Sequence, residues 1–226
     1  MDSLTFIIPA YNDGATIETV IRKTGDTGRR LGIPFNILVI DDASTDETPE
    51  ILSRLTKRIK ELRVITHTKN AGYGQTIKEL YQKAGHTWLF SIPGDYQIDP
   101  SELTKLWPHR AEADIIIGWR RVRRDTLARI NQSRIYNRLL CILSGLTIHD
   151  ANSVRLMKTS IMKSVHLTSS SAFVDAELVI SAKRLGFRIM EIPIAHRKRT
   201  GVGASGGHLT TILPTIRDMI IFRLYP

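Results

Sequence analysis

Cysteine and long apolar runs are scarce in this chain and its acids are outnumbered by its bases, and each of these shortages narrows what the protein can be. Its single cysteine, Cys141, cannot form an internal disulfide or build a cysteine zinc site. Lying in an apolar run, it points to a reducing compartment. No apolar run is long enough for a transmembrane helix. The N-terminus enters a strand-like run at Leu4–Ile8 without the basic start and long apolar stretch of a signal peptide, so a cytoplasmic location is expected. Acids number 22 against 32 lysines and arginines, for a net charge of +10. That balance leaves nucleic acid, anionic lipid and phosphorylated ligands as partners. The arginines lack interleaved aromatics, and no helix-turn-helix or zinc signature occurs, which sets nucleic acid aside.

What is present is ordinary in bulk and uneven in detail. A chain of 226 residues supports one sizeable core. Seven arginines but one acid lie between Arg120 and Arg138, and a second basic cluster is His196-Arg197-Lys198-Arg199. The acids gather earlier, around Asp41–Glu50 and Asp95–Glu102. Short apolar runs at 4–8, 35–40, 63–67, 88–92 and 114–118 read as strands, the first ended by Pro9. Helical spacing fits 16–31, 50–61, 75–84 and 102–113 between them. Strands alternating with helices of this length predict βαβ units, hence an α/β fold with a mostly parallel sheet. Farther on, helices are expected over 129–144 and from Phe173 to Leu185, a strand over 188–193, and a last helix over 208–225 interrupted by Pro214. Residues 150–157 read as a short strand or loop. The glycine-rich stretch 200–207 reads as a mobile lid.

In such sheets ligands sit beyond the carboxyl ends of the strands. Three polar clusters fall there: Tyr11-Asn12-Asp13, Asp41-Asp42, and Asp95 with Gln97. In extended chain Asp95 and Gln97 share a face. A carboxylate and an amide oxygen suit a hard cation such as Mg²⁺ or Mn²⁺, with phosphates completing the shell. Helix 129–144, apolar on one side and basic on the other, suits either a membrane surface or an ordinary solvated face. His67, His149 and His208 lack metal-ligand spacing.

Phe6-Ile-Ile-Pro-Ala-Tyr-Asn12, Ile40-Asp-Asp-Ala-Ser-Thr-Asp-Glu-Thr48, Asn70-Ala-Gly-Tyr-Gly74 and Gly94-Asp-Tyr-Gln-Ile-Asp-Pro100 together resemble the inverting glycosyltransferases of family 2. Gly118-Trp-Arg120, Arg129 with Ser133, Asp175-Ala-Glu-Leu178 and Glu191-Ile-Pro-Ile194 resemble its dolichyl- or polyprenyl-phosphate mannose or glucose synthases. The resemblance implies a single GT-A-type (Rossmann-like) domain over 1–226, with a nucleotide-sugar half to about 118 and an acceptor half after it. It implies that Pro9, Tyr11, Asp13, Ile40 and Asp42 hold base and ribose, Asp13 standing where glutamate is usual. Gly94, Asp95 and Gln97 match the diphosphate–metal site, Arg120 a sugar or phosphate contact, Arg129 and Ser133 the acceptor phosphate, and Lys198 and Arg199 the nucleotide diphosphate. Pro93 stands where the family usually has a first aspartate, which leaves fewer protein ligands for the metal.

The implied reaction is metal-dependent transfer of a hexose, with inversion, from GDP-mannose or a UDP-sugar to a polyprenyl phosphate at the cytoplasmic face of a membrane. A phosphate acceptor needs positioning cations and no base, and arginine serves that role well. A saccharide hydroxyl would instead need a base such as Asp175 or Glu177. A non-catalytic nucleotide- or membrane-binding module is the third reading. Further partners compatible with the resemblance are a membrane-anchoring subunit or a second copy of the chain in a homo-oligomer.

Overall fold

The computed structural model describes residues 1–122, 127–144, 148–198 and 209–224, without the side chains at 127–130, 132, 134, 142–144 and 209–212. Arg199 and the glycine-rich stretch 200–207 lie outside the described residues, as does the side chain of Arg129.

The nucleotide half alternates as its periodicity predicts: β1 (Leu4–Ala10), α1 (Ile17–Leu31), β2 (Phe35–Asp41), α2 (Thr48–Thr56), β3 (Leu62–Thr66), α3 (Tyr73–Lys83) and β4 (Trp88–Ser91). The rest is α4 (Leu103–Leu106), β5 (Ile115–Arg120), α5 (Leu127–Ser144), β6 (Arg155–Lys158), α6 (Val174–Arg184), β7 (Ile189–Ile194) and α7 (Leu209–Leu224). Seven strands form one sheet in the order β3-β2-β1-β4-β6-β5-β7. Neighbours are parallel except β6, which runs antiparallel to both β4 and β5. The sheet is buried on both faces. Phe6 and Ile8 pack on the α1 and α2 side, and Ile7 packs with Ile77 and Leu80 of α3 on the other. A smaller core joins Leu140 of α5, Ile180 of α6 and Met219 of α7.

Three sequence expectations change. Pro9 does not end β1, which continues to Ala10 with Pro9 opposite Ile40. Alternate residues of a central strand bond to opposite neighbours. Ile7 bonds toward β4 and Ala10 toward β2, so Pro9 turns its missing N–H to the side where β4 has already ended at Ser91. The helix expected over 102–113 is instead a chain of short turns, with α4 the one α-helical stretch between 3₁₀ turns at Pro100–Glu102 and Trp107–Ala111. Pro108 has no N–H to extend α4. Conversely, α7 runs straight through Pro214.

Each parallel strand of the nucleotide half except β3 ends in strained backbone. Asn12 after β1, Ala43 after β2 and Tyr96 after β4 have φ of 54°, 59° and 56°. A left-handed residue other than glycine costs roughly 1–2 kcal/mol, and such strain clusters at functional sites.

Candidate active site

The ends of β1, β4 and β5 open on one cavity of about 260 Å³. Pro9, Pro93, Asp95, Gln97, Arg120 and Asp175 line it, with Tyr73, Asn152 and Ser153. The structure thus brings together five residues singled out from sequence: Pro9, Asp95, Gln97, Arg120 and Asp175. Extended chain is not what unites Asp95 and Gln97, because left-handed Tyr96 lies between them. A turn joins them, in which the Gln97 N–H donates to Asp95 Oδ1 at 3.1 Å.

Gly94 brings the backbone close to the Asp13 carboxylate. A Cβ there would sit 2.5 Å from Asp13 Oδ2. Its carbonyl accepts from Thr16 Oγ1 at 2.7 Å, and the Asp13 N–H donates to Thr48 Oγ1 at 2.9 Å. Loop, α1 and α2 are thereby locked around the end of β1. Tyr11 is half exposed beside them, whereas Ile40 is buried in the core under α3.

Asp42 is buried and heavily used. Its carboxylate accepts the N–H groups of Ala71 and Gly72, both at 2.8 Å, and binds His67 Nδ1 at 2.7 Å. The other ring nitrogen of His67 lies 3.1 Å from Glu79 Oε2. Only an imidazolium donates to two carboxylates at once. The Asp42 bond, opposed by burial and aided by Glu79, raises the His67 pKa above its ordinary value. Stability from a group with a raised folded pKa is complete below its unfolded pKa, about 6.5, and is lost as pH rises through the folded value. We therefore expect the melting temperature to fall as pH is taken from 6 to 8, and His67→Gln to flatten that dependence. A scanning-fluorimetry series checks this.

Arg120 is oriented by a fork that sequence reading missed. Its Nε and Nη2 donate to the two oxygens of buried Asp150 at 2.6 and 2.7 Å. The Asp150 N–H in turn donates to Glu191. Asp150-Ala-Asn-Ser is a polar run just before a strand, which was the available signal. Trp119 stacks on His149 with centroids 4.4 Å apart. On α5, the Tyr136 hydroxyl bonds Asn152 and Asn137 donates to the His149 carbonyl. Ser133 is half-buried on the same helix.

Asp175 and Glu177, the two acids weighed as bases, part company. Asp175 reaches the cavity wall. Its carboxylate accepts the hydroxyls of Tyr73 at 2.6 Å and Tyr81 at 2.8 Å, and pairs with Arg155 Nη2 at 3.2 Å. Burial, with Asp175 adding and Arg155 opposing, raises the Tyr81 pKa far above normal, so that hydroxyl keeps its proton and stays a donor. Glu177 is not at the cavity. It accepts from Thr168 N–H and Oγ1 and from Ser169 N–H, all within 2.9 Å. Lys198 is exposed past the end of β7.

The sequence profile of the family described as "Glycosyl transferase family 2" matches residues 5–169. The chain belongs to this family. Relatives include the undecaprenyl-phosphate 4-deoxy-4-formamido-L-arabinose transferases of Pseudomonas paraeruginosa and Edwardsiella ictaluri. They are 28% and 26% identical over 88% and 96% of this chain and 59% and 66% of theirs. The chain spans about three fifths of the length of the Pseudomonas relative. Among solved structures, glucosyl-3-phosphoglycerate synthase of Mycobacterium tuberculosis superposes with TM-score 0.75 at 18% identity, over 99% of this chain and 79% of that one, in a complex with Mn²⁺, UDP-glucose and phosphoglyceric acid. Its complex with Mg²⁺ and UDP gives 0.72 at 17% identity over the same shares. These superpositions show the GT-A-type fold expected from the sequence.

The donor set fits a hard divalent cation. Asp95 offers a carboxylate, Gln97 an amide, and the buried Gln97 amide nitrogen has no hydrogen-bond partner among the described residues. That nitrogen suits an anionic oxygen such as a phosphate's. Among the described residues no three acids, histidines or cysteines cluster to hold a metal. Such a sparse set matches the habit of Mg²⁺, which uses one or two carboxylates plus substrate phosphates.

Proposed function

We propose that this chain transfers a sugar from a nucleoside-diphosphate sugar to a polyprenyl phosphate, with inversion. One observation carries the choice of acceptor. The acids lining the cavity are Asp95 and Asp175, and Asp175 is spent on two tyrosine hydroxyls and a buried arginine. Asp95 sits in the metal position. Among the described residues that line the cavity no further carboxylate is available to deprotonate a hydroxyl, and a phosphate acceptor needs none. The names of the relatives agree with a polyprenyl-phosphate acceptor.

An oxygen of the acceptor phosphate attacks the anomeric carbon while the bond to the donor's β-phosphate oxygen breaks. The nucleoside diphosphate leaves with the charge. Asp95 and Gln97 would hold a Mg²⁺ or Mn²⁺, whose positive charge would offset that of the leaving diphosphate. Arg120, aimed by Asp150, lies where it can bind the sugar or a phosphate. Tyr11, Asp13 and Asp42 would hold the nucleotide, and Ser133 with Arg129 the acceptor phosphate. Lys198 and Arg199 would meet the diphosphate.

The acceptor's tail requires a membrane surface. No described helix is long and apolar enough to cross a bilayer. Yet Ile135 and Leu139 of α5 and Leu213, Ile216, Ile220 and Leu224 of α7 are exposed. The two helices contain five arginines and one acid, Asp218. We expect the protein to float with anionic phosphatidylglycerol vesicles, and Leu213→Asp with Ile220→Asp to weaken that binding at least 10-fold. Burying one such side chain is worth about 1.5–3 kcal/mol, and about 1.4 kcal/mol is tenfold.

The deciding experiment supplies UDP- and GDP-sugars, Mn²⁺ or Mg²⁺, and either a short polyprenyl phosphate or a saccharide, and follows products by mass. Glycosylated polyprenyl phosphate is the expected product. Transfer to the saccharide alone overturns the reading.

A further inference from the structure

The loop between β4 and α4 carries Asp95 and Gln97, yet its own conformation is unfavourable: Tyr96, between them, is left-handed with φ 56°. Something outside the loop must hold it, and the side chains that do so converge on one atom. Asp99 Oδ2 accepts from the Tyr96 hydroxyl at 2.9 Å, from Arg197 Nη2 at 2.9 Å and from Lys23 Nζ at 3.1 Å. The same two cations lie over the Tyr96 ring, Arg197 at 4.7 Å and Lys23 at 5.6 Å from its centroid, within cation–π range. The other Asp99 oxygen accepts the N–H and Oγ of Ser101. Burial opposes the charge on Asp99, but the Ser101 bonds, Lys23 and Tyr96 outweigh it and keep the carboxyl well below the usual range.

Arg197 adds a main-chain tie. Its N–H donates to the Gln97 carbonyl at 2.7 Å. One residue therefore grips the loop at three points: the Tyr96 ring, the Asp99 carboxylate and the Gln97 backbone. Lys23 reaches it from α1 and Arg197 from the segment after β7, so the clamp joins distant parts of the chain.

We infer that Tyr96 and Arg197 are positioning residues for the metal site: with Lys23 and Asp99 they hold the 93–99 loop in the strained turn that directs Asp95 and Gln97 into the cavity. This rests on the metal reading of Asp95 and Gln97. It assigns Arg197, a member of the basic run, to shaping the loop rather than to binding the nucleotide. It also explains how two protein ligands could suffice where Pro93 has removed another: what the site lacks in ligands it recovers in rigidity.

The test uses the whole protein and two readouts. Amide exchange over residues 94–98 is measured without metal, and Mn²⁺ affinity is measured by electron paramagnetic resonance, with Mn²⁺ alone and with UDP. Arg197→Gln and Tyr96→Leu are each expected to raise exchange in the loop at least 10-fold and to weaken Mn²⁺ binding about 10-fold. Arg197→Lys, which keeps the cation but not its fork, should recover part of both. Unchanged exchange with weakened Mn²⁺ binding would mean that Arg197 acts on the ligand directly and overturns the inference. Faster exchange with unchanged Mn²⁺ binding reduces the clamp to a local support and overturns it equally. A wild-type protein that binds no Mn²⁺, even with UDP, overturns the metal reading instead; the exchange arm then still decides whether the clamp orders the loop.

Discussion

Asp95→Ala is expected to lower kcat/KM for sugar transfer by about 10²–10³-fold, the size of effect seen when one group that stabilises developing charge is removed. The loss should fall mainly on kcat, because charge on the departing diphosphate grows as the bond breaks. Folding should be nearly untouched. The Asp95 carboxylate accepts the Gln97 N–H at 3.1 Å, and a bond of this kind is worth about 1 kcal/mol net. For a chain of this length that is a fall of about 2–4 °C in melting temperature. Full activity in the variant would remove Asp95 from the site. Lost activity with collapsed stability would make it structural.

Arg155→Leu should produce the largest loss of stability. Arg155 is 1% exposed in β6. Its Nη1 donates to the Asp175 carbonyl and its Nη2 to the carbonyls of Ala151 and Ser153, all near 3 Å. Removing it strands a buried carboxylate at Asp175 and three acceptors. Breaking a buried pair from one side costs about 3–5 kcal/mol, or roughly 6–20 °C at this chain length. The pair's own net value is far smaller, so Arg155→Leu with Asp175→Leu should regain a large part of the loss. Urea midpoints of the two single variants and the double variant would show this. If the double variant is as unstable as the sum of the singles, the two residues are not coupled.

The nucleotide half was readable because its signals are local. A buried strand followed by an amphipathic helix states both elements within about twenty residues, and the strand ends then locate Asp42, Asp95 and Gln97 without tertiary knowledge. The acceptor half depends on pairings that sequence spacing does not show. β6 is four residues long and enters the sheet antiparallel between strands from 64 and 42 residues earlier, as the register of Ser91 with Arg155 and Ile115 with Met157 records. Arg155 did leave a trace: a lone arginine among Val154, Leu156 and Met157 is a buried charge in need of a partner. Asp175 and Glu177 left another. Residues two apart on a helix do not face the same way, so at most one of them could reach the cavity. The tyrosines that occupy Asp175, Tyr73 and Tyr81, sit a hundred residues away in α3 with no periodic mark to set them apart. The strain at Asn12, Ala43 and Tyr96 was equally silent, since none is the glycine that usually announces a left-handed turn.

The place of β6 has a consequence for synthesis on the ribosome. β1 to β4 can pair among themselves as soon as residue 91 has emerged, but β4 then has an open flank. β5, although made next, has no seat beside it, because β6 lies between them in the finished sheet. Until Lys158 emerges, β4 is an exposed, apolar edge of the kind that invites wrong pairing. The nascent chain thus carries its half-built sheet through some 67 further residues, and closure of that edge by β6 is also the event that brings Arg155 toward the site of Asp175. Chains halted shortly before residue 155 should therefore be the ones that aggregate or recruit chaperones.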